Sequence, residues 1–332
     1  MIVRPGTGRR MEILKGLQGL RQLPPGGVIS VGNFDGVHRG HAEILARART
    51  LRNETPGAKL AVVTFEPHPL TVLRPEAVPP RLSTAALKRD LIAGAGADVL
   101  VVLPPSQEVL NLAAEDFWAI LRDEVRPAHM VEGETFNFGK GRGGTIDRLR
   151  EWSAGTAVRL HVVSPVAVPL LDMRLMPVSS SLIRWLLANG RVREAGICLA
   201  RPYALEGEVI KGHQRGRAIG VPTANLDCPE QMVPADGVYA GRCAVDGRSY
   251  AVALSIGTMP TFGDANRRQV EAHVLDFSGD LYGRRLSVEV TDWVRDQWKF
   301  NGVEPLKAQM ARDIAYCAER SGLDAGRAIV HA

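Results

Sequence analysis

The sequence predicts two domains, an α/β domain built on a parallel sheet followed by a mainly antiparallel β domain closed by one helix. Three observations lead there. The chain has 332 residues, too many for one average domain and few for three. From about residue 28 to 199 short apolar runs alternate with helix-length amphipathic stretches, the pattern of successive βα units. Beyond Arg201-Pro202 the apolar residues recur at every second position with turn residues at short spacing, as antiparallel strands require.

In the first domain the apolar runs predict strands at 28–31, 60–65, 99–103, 129–131 and 158–163, with helices at 41–52, 84–93 and 114–125. In the second, 238–245 and 248–256 flank Asp246-Gly247, a type I′ hairpin signal because both positions tolerate positive φ. Alternation adds strands at 269–277 and 285–291, and 304–320 reads as the closing helix. The expected division is an N-terminal extension over 1–27, a first domain over 28–200 and a second over 201–332.

Composition excludes several function classes. With 45% hydrophobic and 23% charged residues the chain is an ordinary globular one. The net charge of +5 comes from 41 Lys and Arg interspersed with 36 Asp and Glu, and only 5% of residues are aromatic. That argues against a nucleic-acid partner and suits pockets for small polyphosphates. Cys198, Cys228, Cys243 and Cys317 form no C-x-x-C pair and read as reduced thiols. Arg4, Arg9, Arg10 and Lys15 are followed by no long apolar stretch, and runs such as 99–103 fall far short of the roughly 18 residues a membrane span needs. A cytoplasmic enzyme without a membrane partner is expected; the pattern leaves its oligomeric state open.

The first chemical constellation runs from the strand at 28–31 into the helix after it. Gly32, Asn33, Phe34, Asp35, Gly36, His38, Gly40 and His41 occupy the strand-to-helix turn where α/β folds bind polyphosphate. The glycines let the backbone approach phosphate closely. His38 and His41, three apart at the helix start, can face one anion and donate to oxygens that gain charge during substitution at phosphorus. Two histidines without those glycines would read as helix caps on the surface. No G-x-x-x-x-G-K-S/T is present, so this is not a Walker-type site.

This segment resembles the H-x-G-H signature of the nucleotidyltransferase superfamily, and in particular the FMN adenylyltransferase module of bacterial bifunctional riboflavin kinase/FAD synthetases. Thr64-Phe65-Glu66-Pro67-His68-Pro69 is similar to that family's next motif. Gly133, Phe136, Phe138, Gly139 and Arg142 resemble its G-x-x-F-x-F-G-x-x-R-x-G loop, and Ser179-Ser180-Ser181-Leu182-Ile183-Arg184 its S-S-S/T-x-I-R element. The resemblance implies a Rossmann-like domain in which His38, His41, Arg184 and Mg²⁺ neutralise ATP phosphates. His68, Gly133, Phe136, Phe138, Ser180 and Ser181 would then line the site. One position departs: Thr135 stands where the family usually carries Asp or Asn.

The second constellation, residues 207–226, is too rich in glycine and basic residues for a plain strand pair. Thr223 and Asn225 project to one face of an extended segment and offer two neutral oxygens, which suffices for Mg²⁺ that keeps waters and nucleotide phosphates as further ligands. A plain turn after Pro222 is the competing reading. The stretch resembles the riboflavin kinase motif G-x-V-x-x-G-x-x-x-G-R-x-x-G-x-P-T-A-N at every fixed position, through Gly207, Gly212, Gly216, Arg217, Gly220, Pro222, Thr223, Ala224 and Asn225. By the same resemblance His213 and Arg217 join the phosphate-covering loop, and Arg295 contacts a nucleotide or FMN phosphate. Glu271 shares a strand face with His273 and is either solvent-exposed or a general base for a substrate hydroxyl; the resemblance implies the base.

Together the motifs imply a Rossmann-like nucleotidyltransferase domain followed by a six-stranded antiparallel β-barrel riboflavin kinase domain with a C-terminal helix. The implied activities are ATP-dependent phosphorylation of riboflavin to FMN and adenylylation of FMN to FAD. Two alternatives stand beside it: an adenylyltransferase for another phosphorylated cofactor precursor, and a riboflavin kinase whose first domain has become a flavin-binding module.

Overall fold

The computed structural model describes residues 11–212, 220–258 and 268–323. Its first sheet is built from β1 (Glu12–Lys15), β2 (Val28–Val31), β3 (Leu60–Phe65), β4 (Val99–Leu103) and β5 (His129–Gly133). Two short strands follow, β6 (Asn137–Phe138) and β7 (Gly144–Thr145), and then β8 (Arg159–Val163) completes the sheet. The order is β1-β4-β3-β2-β5-β8, all parallel. Connections run from β2 outward through β3 to β4, and from β5 outward to β8. The direction therefore switches between β2 and β5, where doubly wound sheets bind ligands.

The central strands β2, β3 and β4 are largely apolar because both sheet faces are covered there. Ile29, Val31, Val63, Val101 and Met130 pack on one side with Phe117, Leu121 and Leu149. Val28, Val62, Leu100 and Val131 pack on the other with Leu45, Ala48, Leu51 and Ile92. Helices Arg39–Glu54 and Ala85–Gly94 lie close to the expected spans. The third expected helix runs as Ala114–Ala119, widens to a π-helical stretch Ile120–Val125 and stops at Arg126, whose φ of 50° is left-handed. β1 falls within the segment read from sequence as an extension: it pairs with β4 as the sheet edge, and its exposed residues gave no apolar run to find.

Two short antiparallel strands, β9 (Ala167–Pro169) and β10 (Leu175–Pro177), precede the barrel. The barrel comprises β11 (Tyr203–Ile210), β12 (Ala224–Asp227), β13 (Gly237–Val245), β14 (Arg248–Thr258), β15 (Arg268–Val274) and β16 (Arg285–Arg295), closed in the order β11-β12-β15-β14-β13-β16. Leu205, Tyr239, Leu254, Ile256, Ala272, Val288 and Val290 fill its core. The β13–β14 turn has Asp246 at φ 51° and Gly247 at φ 77°, as a type I′ hairpin requires. Helix Val303–Arg320 packs on β13, β14 and β16.

The chain divides into two compact units: Pro80–Thr84, Leu170–Met173 and everything from Ser180 onward belong to the second, the remainder to the first. Arg81 bridges to Gln231, and the Leu171 N–H donates to Glu194 at 3.2 Å, which ties the two short segments to the second unit. All four cysteines are buried. Burial pushes the Cys243 and Cys317 thiols up to about 12, so neither is a reactive thiolate. No helix among the described residues is long and apolar enough to cross a membrane.

Candidate active sites

In the first unit the turn after β2 is held from several sides. The Gly32 N–H continues the ladder to the Val63 carbonyl at 2.9 Å. The Thr64 hydroxyl donates to the Asn33 carbonyl at 3.0 Å. Phe34 has φ 49° yet is 1% exposed, so its ring anchors a strained backbone to the core, and Gly36 at φ 76° completes the reversal. His38 caps helix Arg39–Glu54: its Nδ1 accepts from the His41 N–H at 3.4 Å, so the neutral ring carries its proton on Nε2. The two imidazoles stack with centroids 3.7 Å apart and 16° between planes. Gly40 makes this possible, because a Cβ there would lie 3.2 Å from the His38 ring.

His41 is held neutral. Burial lowers its pKa well below the ordinary value, and the His38 imidazole and the Lys88 ammonium act the same way. Its Nδ1 is buried with no partner among the described residues. An anion at this turn would offset both of these like charges. His68 reaches the same turn: its Nδ1 accepts from the Leu70 N–H at 3.1 Å, and its Nε2 lies 3.3 Å from the Asn33 side-chain nitrogen. Lys88, 9% exposed, donates to the Phe65 carbonyl at 3.0 Å and pairs with Glu66 at 2.9 Å. Nothing in the sequence singled out Lys88, since a helical lysine carries no motif.

The loop after β5 is an aromatic stack on a glycine frame. Phe136 and Phe138 lie parallel at 5.4 Å, and Phe138 meets Trp152 edge-on at 6.2 Å. Gly139, at φ 73°, lies so near the Ala114 backbone that a Cβ would come within 2.6 Å. Gly133 sits at the end of β5. Thr135 is exposed and accepts through its carbonyl from the Asn137 side-chain amide at 2.7 Å. Ser180, Ser181 and Arg184 stand on the first turns of helix Ser180–Ala188 in the second unit, where the Arg184 Nε–H donates to the Pro80 carbonyl at 2.8 Å.

In the barrel, alternation sends Ala224, Leu226, Val270, Ala272 and Val274 inward, and Asn225, Glu271 and His273 outward. The register lines up one outward row across the strands: Asn225 opposite Glu271, Glu271 opposite Ser255, Ser255 opposite Val238, and Val238 opposite Arg295. Gly212 packs against Asn225 so closely that a Cβ would strike its side-chain amide, and Gly207 lets β11 approach the Asp227 carbonyl. Gly220, at φ 87°, reverses the chain before Pro222. His213 and Arg217 lie outside the described residues.

Two cavities share Thr223 as a lining residue, and the second borders this row. One of about 480 Å³ is lined by Val209, Pro222, Thr223, Ala272, Phe277 and Asp280. The other, about 250 Å³ and more apolar, lies under the C-terminal helix between Thr223, Glu271, His273, Trp298, Phe300 and Met310. Thr223 lines both. Three further groups shape the second cavity without having shown in the sequence. His273 Nδ1 lies 2.7 Å from the Pro222 carbonyl and so steadies the Thr223 segment. Gln297 donates to the Ser255 hydroxyl at 3.0 Å and the Ile256 carbonyl at 3.1 Å. Asp313 takes the Arg295 guanidinium on both oxygens, 2.6 Å from Nη2 and 3.0 Å from Nε, with the Trp298 and Phe300 rings beside the cation at 4.7 and 5.7 Å.

Comparison with known proteins gives a consistent result. The family model for FAD synthetase matches residues 20–174 and that for riboflavin kinase residues 199–320. The chain is 37% identical over 306 residues to the bifunctional riboflavin kinase/FMN adenylyltransferase of Pseudomonas fluorescens, covering 92% of this chain and 96% of that one. The protein of the same description from Escherichia coli strain K12 is 34% identical over 318 residues, 94% and 99% of the two chains. A crystal structure of a macrolide-efflux protein from Streptococcus pneumoniae superposes with a TM-score of 0.81 at 28% identity, over 93% of this chain and 98% of that one.

Proposed function

The chain belongs to the bifunctional riboflavin kinase/FMN adenylyltransferase family, with the adenylyltransferase part first and the kinase part second, and we propose how its residues divide those two reactions. Riboflavin, FMN and ATP are the substrates the family implies. Residues 28–200 would carry adenylylation and 201–332 phosphorylation, in the cytoplasm, with no nucleic-acid or membrane partner.

In the kinase reaction the terminal ribityl hydroxyl of riboflavin attacks the γ-phosphorus of ATP, the bond to the bridging oxygen breaks, ADP leaves, and the hydroxyl proton passes to Glu271. An alcohol needs such a base. The apolar cavity that holds Glu271 fits the flavin, and the larger cavity on the other side of Thr223 fits the nucleotide. Thr223 and Asn225 supply neutral, hard oxygens that fit Mg²⁺, which when bound would offset phosphate charge. Asn225 lies opposite Glu271 in the ladder, so metal ligand and base stand side by side. That adjacency, with Thr223 lining both cavities, carries the reading.

In adenylylation an FMN phosphate oxygen attacks the α-phosphorus of ATP and pyrophosphate leaves. The nucleophile is already an anion, so no base is needed. His38 and His41 donate to the phosphates at the turn, Gly32, Asn33, Asp35, Gly36 and Gly40 shape it, and Phe136 and Phe138 stack near it.

The test is a time course with riboflavin, ATP and Mg²⁺, separating FMN from FAD by chromatography. FMN should rise first and FAD follow. Glu271→Gln should abolish FMN formation yet still convert supplied FMN to FAD, and His41→Ala should do the reverse. A Glu271→Gln protein that phosphorylates riboflavin at the parental rate removes the base.

A further inference from the structure

Glu132 is a buried carboxyl that neither reaction uses. It lies on β5 one residue before Gly133 and is 2% exposed. Its Oε1 accepts a hydrogen bond from the Val31 N–H at 2.7 Å.

The position of that bond in the sheet gives it meaning. Backbone groups of successive strand residues point alternately to the two neighbouring strands. The Gly32 N–H goes to Val63 of β3, so the Val31 N–H faces β5. There the paired register holds only Val28 with His129 and Ile29 with Met130, whereas β5 stays paired with β8 through Gly133. Val31 therefore faces β5 beyond the last registered pair, and its N–H is met by a side chain. A buried N–H left unpaired is costly, so the carboxyl replaces a bond the divergence removes. This happens at the switch point, one residue before the turn that carries Gly32 to His41.

We propose that Glu132 is a positioning residue for adenylylation: its carboxyl substitutes for the lost ladder bond, lets β2 and β5 part at the switch point, and fixes the peptide from which the phosphate-binding turn departs. Burial raises its pKa well above the carboxylate range, which favours the uncharged form and lessens repulsion toward an anionic ligand. The inference rests on the reading of the 31–41 turn as the ATP site.

The experiment uses the full chain and measures FAD formation from FMN, with riboflavin phosphorylation in the same molecule as the control for folding. Glu132→Gln keeps an acceptor on Val31 and stays neutral, so its KM for ATP in FAD formation should remain within about twofold. Glu132→Val removes the acceptor and should raise that KM about tenfold or more, speed hydrogen exchange at the Val31 amide and leave FMN formation unchanged. Glu132→Asp, one methylene too short, should behave like the valine variant and serves if that protein does not fold. Parental KM and exchange in the valine or aspartate variant overturn the proposal, as does a glutamine variant impaired as badly as they are. His41→Ala separates the two claims: if it leaves FAD formation intact the ATP-site reading fails, whereas if it abolishes FAD formation and the Glu132 variants do not, only the positioning role fails.

Discussion

Replacing Asp313 with alanine should unfold the kinase barrel well before the rest of the chain. Arg295 and Asp313 are 9% and 6% exposed, and three contacts of 2.6–3.1 Å join them. Removing the carboxylate leaves a buried guanidinium whose Nη1 keeps only the Asp296 carbonyl, at 2.8 Å. Breaking one side of such a pair costs about 3–5 kcal/mol. The Trp298 and Phe300 rings lie beside the cation before and after the change, so they offset none of it. In a barrel of this size each kcal/mol moves the midpoint by roughly 3–6 °C, so the barrel transition should fall by about 9–30 °C. Calorimetry of the full chain reads this directly, with FMN formation followed in parallel. The companion Arg295→Met/Asp313→Leu protein should regain most of the stability, since an apolar pair of similar volume replaces a buried ion pair at little cost. Because the double variant removes Arg295, its flavin or phosphate contact is then tested apart from folding. A shift under about 1 kcal/mol in Asp313→Ala would refute the argument, because it would mean that the guanidinium finds water as readily as its partner.

Asn225→Ala should raise the Mg²⁺ concentration for half-maximal FMN formation by at least about tenfold while leaving FAD formation from FMN alone; unchanged Mg²⁺ dependence would remove Asn225 as a ligand. Gly40→Ala puts a methyl 3.2–3.3 Å from the His38 ring, and the displaced stack should lower FAD formation by up to about 10²-fold with the kinase intact. A pH effect should come from His129 and His161, whose Nδ1 and Nε2 lie 3.0 Å apart. Burial foremost, with Arg47 and Arg159 beside both, holds each below the ordinary value. The unfolded chain therefore binds more protons than the native one below about pH 6.5. The stability is present above that pH and is lost as pH falls toward the lower native values. His161→Asn should flatten the decline in the first unit's melting temperature between pH 7 and 5, leaving the part due to His41; an unaltered slope would sink the assignment.

What could be read in the sequence was whatever leaves a one-dimensional trace. β2, β3 and β4 are buried on both faces, and their largely apolar runs located them to the residue. Glycines marked both segments proposed to bind phosphate, because backbone would make those sites. β1 left no trace: its residues are mostly exposed, and only pairing with β4 makes it a strand. β11 was hidden by the glycine-rich segment after it, which made its end look like part of a loop, whereas the extended segment read around Thr223 and Asn225 is β12. Alternation put Glu271 and His273 on one face, but the opposition of Glu271 to Asn225 depends on register across strands some 46 residues apart in sequence. Asp313 and Gln297 line the second cavity only because the chain folds back beneath the C-terminal helix.

On the proposed assignment the two sites place their charge differently, and the chemistry of the nucleophile would explain why. Where an anion would attack, the first unit offers a turn of backbone and imidazole donors, and burial raises the pKa of the carboxyl beside it, Glu132. Where an alcohol would attack, the barrel turns Glu271 outward into a half-buried row that also carries an amide oxygen. A carboxylate left ionised at the first site would repel the phosphates it is meant to collect, and one protonated at the second could take no proton. Burial is the variable that sets the two apart. Glu132 sits within the sheet at 2% exposure, whereas Glu271 keeps contact with the cavity because the barrel's apolar interior takes Val270 and Ala272 on either side of it.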